Sequence, residues 1–318
     1  MNRLVLIDGN AILHRAYHAL PPLTAPDGSI VNAVYGFTTM LFRIVSDLAP
    51  THIAVCFDRP APTFRKELFK EYQATRPKLD EDLASQIPKV HDLIAAFGIK
   101  IFELDGFEAD DIIGTIAEEA RSKTIDQVVI VTGDKDLLQL VDEKTYVYMP
   151  VKGLSESKLY DEKGVAEKLG VSPKQIPDFK ALAGDNSDNY PGVAGIGPKT
   201  AADLLKSHGT IESLYQHLPD VSTSSETLRS KLKAGEESAV LSKNLATIRK
   251  DVPLSLSFTD LAISTLDTPE VRTVLEKFHF PSLIKRLEKL GKEEEPKPAK
   301  RKRKKTQAEE NEEQLSLI

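Results

Sequence analysis

The chain has 318 residues, 41% of them hydrophobic, which is enough for one large domain or two modest ones with a sizeable core. Its single cysteine, Cys56, excludes an internal disulfide, and no apolar stretch is long enough to span a bilayer. The formal net charge of −6 looks wrong for a nucleic-acid binder, but binding depends on where basic groups cluster more than on their sum.

Arg3 to Ile7 is an apolar run that ends in Asp8, and only four apolar residues precede that acid, so no signal peptide is apparent and a cytoplasmic protein is expected. Ala11 to Leu20, carrying Arg15, reads as a helix stopped by Pro21-Pro22, and Pro26-Asp27-Gly28 as a turn. Val34 to Leu48 is helical and leads to a second buried strand, His52 to Phe57, that ends in Asp58. Cys56, inside that strand, packs as a small hydrophobe.

From Arg59 to Pro77 the character changes. Arg59, Arg65, Lys66, Lys70 and Arg76 are interleaved with Phe64, Phe69 and Tyr72, which suits a phosphate backbone with exposed bases. The competing reading is an amphipathic helix packing Phe64, Leu68 and Phe69 inward. Leu79 to Phe97 reads as one further helix, with Gly98 past its end. The apolar run Ile99 to Leu104 precedes Glu108, Asp110 and Asp111, and Ile112 to Ala120 is an amphipathic helix after them. Gln127 to Gly133 leads to Asp134 and Asp136, Leu137 to Val141 is helical, and Thr145 to Val151 is expected as an edge strand. Asp161 to Leu169 and Pro173 to Ala183 are helical with no buried strand between them, which puts a domain boundary near 155–175.

Acids at the start of a helix suit the macrodipole and the unpaired N–H groups, so each carboxylate alone could be a cap. Four continuous apolar runs each followed by carboxylate are harder to explain in that way. Buried parallel strands side by side would bring their ends to one sheet edge, where open α/β folds place ligands. Crowded carboxylates repel and take up protons unless a cation compensates them, and all-oxygen clusters suit Mg²⁺ or Mn²⁺. Two such ions about 3.5–4 Å apart are the usual arrangement for phosphodiester hydrolysis. Asp185 and Asp188, three apart, share one face of a helical turn and extend the set.

Gly192, Gly195 and Gly197 then lead into a helix with Lys199 and Thr200 at its start, a pattern that can cradle phosphate and can also be a plain turn between helices. Residues 211–290 are mostly helical patterns, including Ala239 to Ile248 and Pro269 to Leu290. From Gly291 the composition falls to acidic and basic blocks, with six consecutive cations from Lys300 to Lys305, and a disordered tail is expected that could add salt-dependent DNA affinity.

Leu6-Ile7-Asp8-Gly9-Asn10, Phe57-Asp58, Glu108-Ala109-Asp110-Asp111, Thr132-Gly133-Asp134-Lys135-Asp136, Gly184-Asp185-Asn186-Ser187-Asp188-Asn189 and the glycine turn follow one another in the order and spacing of a known family. Over about residues 1 to 290 the chain resembles the 5′ nuclease domain of bacterial DNA polymerase I, of the flap endonuclease family, here as a stand-alone nuclease.

The resemblance implies an α/β fold with a central, mostly parallel sheet flanked by helices and a helical arch, followed by an α-helical helix-three-turn-helix domain. The expected divisions are 1–165 for the catalytic domain, with the arch at about 60–97, 166–290 for the DNA-binding domain, with its hairpin turn at 191–205, and 291–318 for the tail.

By resemblance, Asp8, Asp58, Glu108 and Asp110 match ligands of one metal. Asp134, Asp136, Asp185 and Asp188 match a second group, with Asp111 between them. Arg15, Tyr72 and Arg76 match positions that contact the scissile phosphate or stack on a flipped nucleotide, and Gly192, Gly195, Gly197, Lys199 and Thr200 match the hairpin, often with a monovalent cation such as K⁺. Arg65 and Lys70 are further candidates for DNA contact. One position departs: many members carry lysine after the arch tyrosine, where this chain has Gln73, which can hydrogen-bond but supplies no charge.

The end of the chain, Gln314, Leu315, Leu317 and Ile318, resembles the sliding-clamp-binding peptide of bacterial replication proteins, with Ile318 where the pattern usually has phenylalanine. The expected function is a metal-dependent, structure-specific 5′ nuclease acting on 5′-flap DNA in replication and repair, as a monomer, with the sliding clamp and a separate DNA polymerase as expected partners. The alternatives are a non-catalytic DNA-binding adaptor tethered to the clamp, favoured by Gln73, and a ribonuclease of a related acidic-cluster type.

Overall fold

The computed structural model describes residues 1–153, 156–218 and 226–290. In chain order the elements are β1 (Arg3–Asp8), α1 (Gly9–Ala19), α2 (Asn32–Leu48), β2 (His52–Cys56), α3 (Phe64–Leu68), α4 (Glu81–Ala84), α5 (Ile87–Ala96), β3 (Lys100–Phe102), α6 (Ala109–Ala120), β4 (Gln127–Val131), β5 (Thr145–Lys152) and β6 (Glu156–Tyr160). Helices follow: α7 (Glu162–Leu169), α8 (Ile176–Ala183), α9 (Pro198–His208), α10 (Ile211–Gln216), α11 (Glu226–Ala234), α12 (Glu236–Ala246), α13 (Pro269–Lys277) and α14 (Pro281–Leu290).

The six strands form one sheet in the order β3-β2-β1-β4-β5-β6, parallel throughout except for β6. The apolar runs alternate between its two faces, as the period of a strand requires. Leu4, Leu6, Ala54, Cys56, Val128 and Ile130 face a layer that includes Ile112, Ile113 and Ile116 of α6 and Leu182 of α8. Val5, Ile7, Ile53, Val55, Val129 and Val131 face the other layer, with Phe37 and Leu41 of α2, Leu93 of α5, Leu275 of α13 and Leu283 and Leu287 of α14. The last two helices pack on the helices of that layer, α13 on α5 and α14 on α2, and so return to the first part of the chain. Ile263 makes this return explicit, its N–H donating to the Thr51 carbonyl at 3.0 Å.

Three elements differ from the sequence reading. Thr145 to Val151 is not the edge: β5 pairs with β4 on one side and β6 on the other. The true edge, Glu156–Tyr160, buries only Tyr160 and carries no apolar run to announce it. The helix expected over Leu79 to Phe97 is broken between α4 and α5 because Gln86 is fully buried. Its Oε1 accepts the Ala33 N–H at 2.8 Å and its Nε2 donates to Asn32 Oδ1 at 3.1 Å, so it caps α2 rather than facing solvent. The pattern from Pro269 to Leu290 is likewise two helices, α13 and α14, turned at His279, whose φ of 57° lets Phe280 enter the core.

At Gly114, in the middle of α6, a Cβ would lie 2.6 Å from Ile248 Cγ2 and 2.8 Å from the Arg249 carbonyl oxygen. Glycine is required there because the chain leaving α12 crosses α6 at close range.

Candidate active site

Parallel register puts the ends of β1, β2 and β4 side by side: Asp8 lies opposite Cys56, and Ile7 opposite Val131. Their continuations, with Glu108 and Asp110 at the start of α6, line a cleft of about 670 Å³. Asp8, Asp58, Glu108, Asp110, Asp134, Asp136 and Asp188 border it, together with Arg59, Lys66, Arg76 and His14. The structure thus brings together seven carboxylates from stretches that span the first 188 residues.

Backbone donors aim these acids. Asp8 Oδ1 accepts the Ala11 N–H at 2.9 Å and so caps α1, while Oδ2 accepts the Thr132 hydroxyl at 2.6 Å. Asp58 Oδ1 accepts the Ala109 N–H at 2.7 Å, and the Asp58 N–H donates to Asn10 Oδ1 at 2.9 Å. Asp134 Oδ1 accepts the Asp136 N–H at 2.8 Å. Capping and clustering therefore coexist: backbone hydrogen bonds fix the orientation of Asp8, Asp58 and Asp134 while acceptor capacity remains for a cation.

Charge is distributed unevenly. Burial pushes the Asp8 carboxyl up to about 7, against the Ala11 and Thr132 hydrogen bonds. Burial likewise raises Glu108 to about 7, against the Arg65 charge, and raises Asp110 well above the ordinary range, with Asp134, Asp8 and Asp58 adding repulsion. Asp58 keeps solvent access, yet the protein packed around it still raises its carboxyl. On the other side of the cleft, the Lys180 ammonium reaches both Asp136 and Asp185. Burial acts to raise Asp185, but Lys180 and Ser187 overcome it and hold the carboxyl at about 2. Asp136 lies at the seam: burial and Asp134 outweigh Lys180 and bring it to about 7.

Carboxylate oxygens of Asp136, Asp185 and Asp188 lie within 4.8 Å of one another. An all-oxygen donor set of crowded carboxylates, here partly neutralised by Lys180 and Arg76, fits Mg²⁺ or Mn²⁺ and not a softer metal.

Tyr72 is buried, and its hydroxyl lies 3.2 Å from Glu108 Oε2 and 3.4 Å from Asp188 Oδ2. Its ring stacks near Tyr190, with centroids 6.4 Å apart. Arg76 Nη2 donates to Asp188 Oδ1 at 2.5 Å, and Gln73 Nε2 to the same oxygen at 3.3 Å. Gln73 adopts a left-handed φ of 54°. The segment from Arg59 to Pro77 is neither a solvated stripe nor a single helix; α3 and a run of turns lay Tyr72, Gln73 and Arg76 against the acids.

Several expected residues lie elsewhere. Arg15 does not line the cleft; its Nη2 donates to the Pro150 carbonyl at 2.8 Å, and His14 faces the cleft instead. Lys70 is exposed and away from the lining. Asp111, expected as a metal ligand, lies in the interior and pairs with Arg65, expected as a DNA contact, which is buried in the wall of the cleft.

In the glycine turn, Gly192 is buried, and a Cβ there would lie 2.2 Å from the Gly184 backbone nitrogen. Gly192 therefore serves close packing, with Ser238 Oγ donating to its carbonyl at 2.6 Å. Gly195 and Gly197 are exposed, and Gly197 precedes α9, whose first turn presents Lys199 in the open with Thr200 half-buried. Gln314, Leu315, Leu317 and Ile318 lie outside the described residues.

Lys180 and Gln139 escaped the sequence reading, and Asn10 and Thr132 entered it only as parts of their motifs, with no role of their own. Gln139 Nε2 donates to the Ala246 carbonyl at 3.0 Å while its Oε1 accepts the Ile248 N–H at 3.0 Å, tying the residues after β4 to the end of α12. Lys180 carried a signal, since it lies one helical turn before Asp185, but a lone lysine on an amphipathic helix resembles any solvated one.

Residues 3–170 match the family model for the 5′-3′ exonuclease N-terminal resolvase-like domain, and residues 171–269 the model for the 5′-3′ exonuclease C-terminal SAM fold. DNA polymerase I of Bacillus caldotenax is 41% identical over 298 residues, which cover 94% of this chain and 34% of that protein. DNA polymerase I of Bacillus subtilis (strain 168) is 41% identical over 285 residues, 90% of this chain and 32% of that protein. The chain thus spans about a third of the length of these curated relatives.

Among solved structures, T5 5′-exonuclease with bound divalent zinc ions superposes with a TM-score of 0.65 at 19% identity, covering 92% of this chain and 99% of that one. The catalytic core of Rad2 in complex with DNA substrate gives 0.60 at 17% identity, covering 91% and 92%. At such identities the likeness speaks to fold: a mostly parallel sheet flanked by helices, continued by a SAM-like helical part.

Proposed function

The chain belongs to the 5′-3′ exonuclease family, and from that premise we propose that it is a metal-dependent, structure-specific 5′ nuclease that cleaves branched DNA near the junction of a 5′ flap. The observation that carries this reading is the convergence of seven carboxylates at the sheet edge, bordered by Lys66 and Arg76. Asp8, Asp58, Glu108 and Asp110 would hold one divalent ion, and Asp134, Asp136, Asp185 and Asp188 a second. Such ions, when bound, activate a water and stabilise charge on the phosphate.

The chain's own groups do the rest. Arg76 and Lys66 offer cations to a phosphate at the mouth of the cleft. Tyr72, expected to stack on a flipped nucleotide, is buried with its ring against Tyr190, so in this arrangement its hydroxyl braces Glu108 and Asp188, and stacking on a base requires the segment to open. The first turn of α9, with Lys199, can hold duplex backbone, so that shape rather than base sequence positions the substrate. Removal of RNA primers and flaps in replication and repair is the role proposed for this chemistry. A sliding clamp bound through residues 314–318, a separate polymerase and K⁺ at the hairpin remain part of the same proposal. Among the described residues, no helix is long and apolar enough to cross a membrane.

The test is cleavage of a 5′-flap duplex with Mg²⁺ by the wild type and by Asp134→Ala. Junction cleavage that falls about a hundredfold or more in the variant is expected, the scale of losing one major electrostatic stabiliser. Tight flap binding with no cleavage by the wild type would overturn the nuclease reading in favour of the adaptor.

A further inference from the structure

Arg65 is a cation on the short helix beside the cleft, yet its side chain is only 3% exposed. Its Nη1 and Nη2 donate to Asp111 Oδ2 and Oδ1 at 2.7 and 2.8 Å, a bidentate pair. Nε donates to the Leu245 carbonyl at 2.8 Å and Nη2 also to the Thr247 carbonyl at 3.0 Å. Nη1 further lies 3.3 Å from Glu108 Oε2. Of a guanidinium's five N–H donors, four are spent in these hydrogen bonds, and the fifth, on Nη1, has Glu108 beside it in the wall of the cleft. A phosphate could take it only in competition with Glu108.

Asp111 is equally committed. It is fully buried; its Oδ1 also accepts the Arg249 N–H at 2.8 Å, and its Oδ2 the Glu108 N–H at 3.1 Å. Each oxygen already serves two donors, which exhausts the lone pairs that a metal would use. Although Asp111 follows Asp110 directly, it does not border the cleft.

The pair joins three pieces of chain. Arg65 lies on α3 in the segment that lays Tyr72 and Arg76 on the acids. Asp111 lies in the first turn of α6, which carries Glu108 and Asp110. Leu245, Thr247 and Arg249 end and follow α12, which packs along α8, and the chain leaving α8 carries Asp185 and Asp188.

We propose that Arg65 and Asp111 are a positioning pair, neither DNA contact nor metal ligand, that sets the helical side of the cleft against the sheet edge so that the two groups of carboxylates meet at working distance. The proposal rests on the nuclease reading for its kinetic consequences and on geometry alone for its metal consequence.

The experiment joins Mn²⁺ titration of Asp111→Asn and Asp110→Asn with steady-state flap cleavage by Arg65→Met and Arg65→Lys. Asp111→Asn is expected to keep Mn²⁺ affinity within about threefold, while Asp110→Asn weakens it about tenfold or more, the scale of altering a metal site. Arg65→Met is expected to lower kcat about tenfold or more at nearly constant KM, because misplacement acts on the reacting geometry. Arg65→Lys recovers little, since an ammonium cannot reproduce the fork; it also carries the kinetic test if Arg65→Met does not fold.

Equal loss of Mn²⁺ affinity in the two aspartate variants would make Asp111 a ligand and overturn the proposal. So would an Arg65 variant that keeps kcat, whether it raises KM with a shallower salt dependence, as a phosphate contact does, or only melts earlier, as a purely structural pair does. A wild type that binds Mn²⁺ but cuts no branched DNA sinks the nuclease reading instead, and the Mn²⁺ comparison then decides for or against the pair.

Discussion

The two sides of the cleft solve one electrostatic problem in opposite ways. At the sheet edge, Asp8 is oriented by a backbone and a hydroxyl donor, no ion pair to Asp8 or Asp110 is seen among the described residues, and burial drives both carboxyls up, Asp8 to about 7. On the helical side, Lys180 holds Asp185 at about 2 and Arg76 pairs with Asp188. Neutral hydrogen bonds aim a buried carboxylate without discharging it, whereas a built-in ammonium does both. The sheet edge is thus the side in need of cations from outside, and the helical side arrives partly neutralised.

The largest expected effect that tests this contrast is on cleavage. Asp110→Asn is expected to lower kcat on a 5′ flap about a hundredfold or more, and Asp185→Asn about tenfold, because Lys180 can still serve Asp136. Equal losses measured side by side would erase the distinction between the two sides.

The next effect is on stability. Asp8, Glu108 and Asp136 stand near 7 in the folded protein and near 4 when unfolded, so between those values the native state holds protons that the unfolded chain has released. The metal-free protein is therefore expected to melt several degrees lower at about pH 8 than at about pH 5. Asp185 works in the opposite sense, but only below about pH 4, where the unfolded carboxyl takes up its proton. Saturating Mg²⁺ should flatten the fall by replacing the missing protons. A melting temperature that rises with pH in chelator would contradict the charge assignment of the sheet edge.

The smallest effect is at Gln73. The helical side already carries Lys180 and Arg76, so Gln73→Lys is expected to change flap cleavage by less than about threefold, as for an added charge at a partly solvated site. A gain of tenfold or more would show that this side is still short of positive charge.

How much of this was legible in the chain depended on how local the signal was. The buried strands announced themselves as unbroken apolar runs, each ending at an acid, and the sheet edge followed from them. β6 did not, because an outer antiparallel strand needs to bury only one position. Gln86 was invisible for a related reason: its partners, Asn32 and Ala33, lie more than fifty residues away. In the site, spacing found the acids but could not separate Asp110, which faces the cleft, from Asp111, one residue on and turned inward. Nor could it separate Arg65, buried in the cleft wall with its fork on carbonyls and carboxylates, from Lys66, exposed at the opening. Sequence pattern shows that charges are near one another; which partner each has already taken is a property of the fold.

The return of α13 and α14 to α5 and α2 sets the order in which the molecule can be completed. During synthesis α2 and α5 emerge early, but Leu275, Leu283 and Leu287, which join the same apolar cluster, emerge only after the whole helical layer. The early part of the chain must wait with the helix faces that receive them unsealed, dependent on contacts of long sequence separation that form slowly. During that interval an apolar helix surface is open to chaperones or to aggregation. The last turn of α14, far in sequence from any carboxylate of the cleft, thus helps decide whether the strands that carry those carboxylates are ever properly assembled.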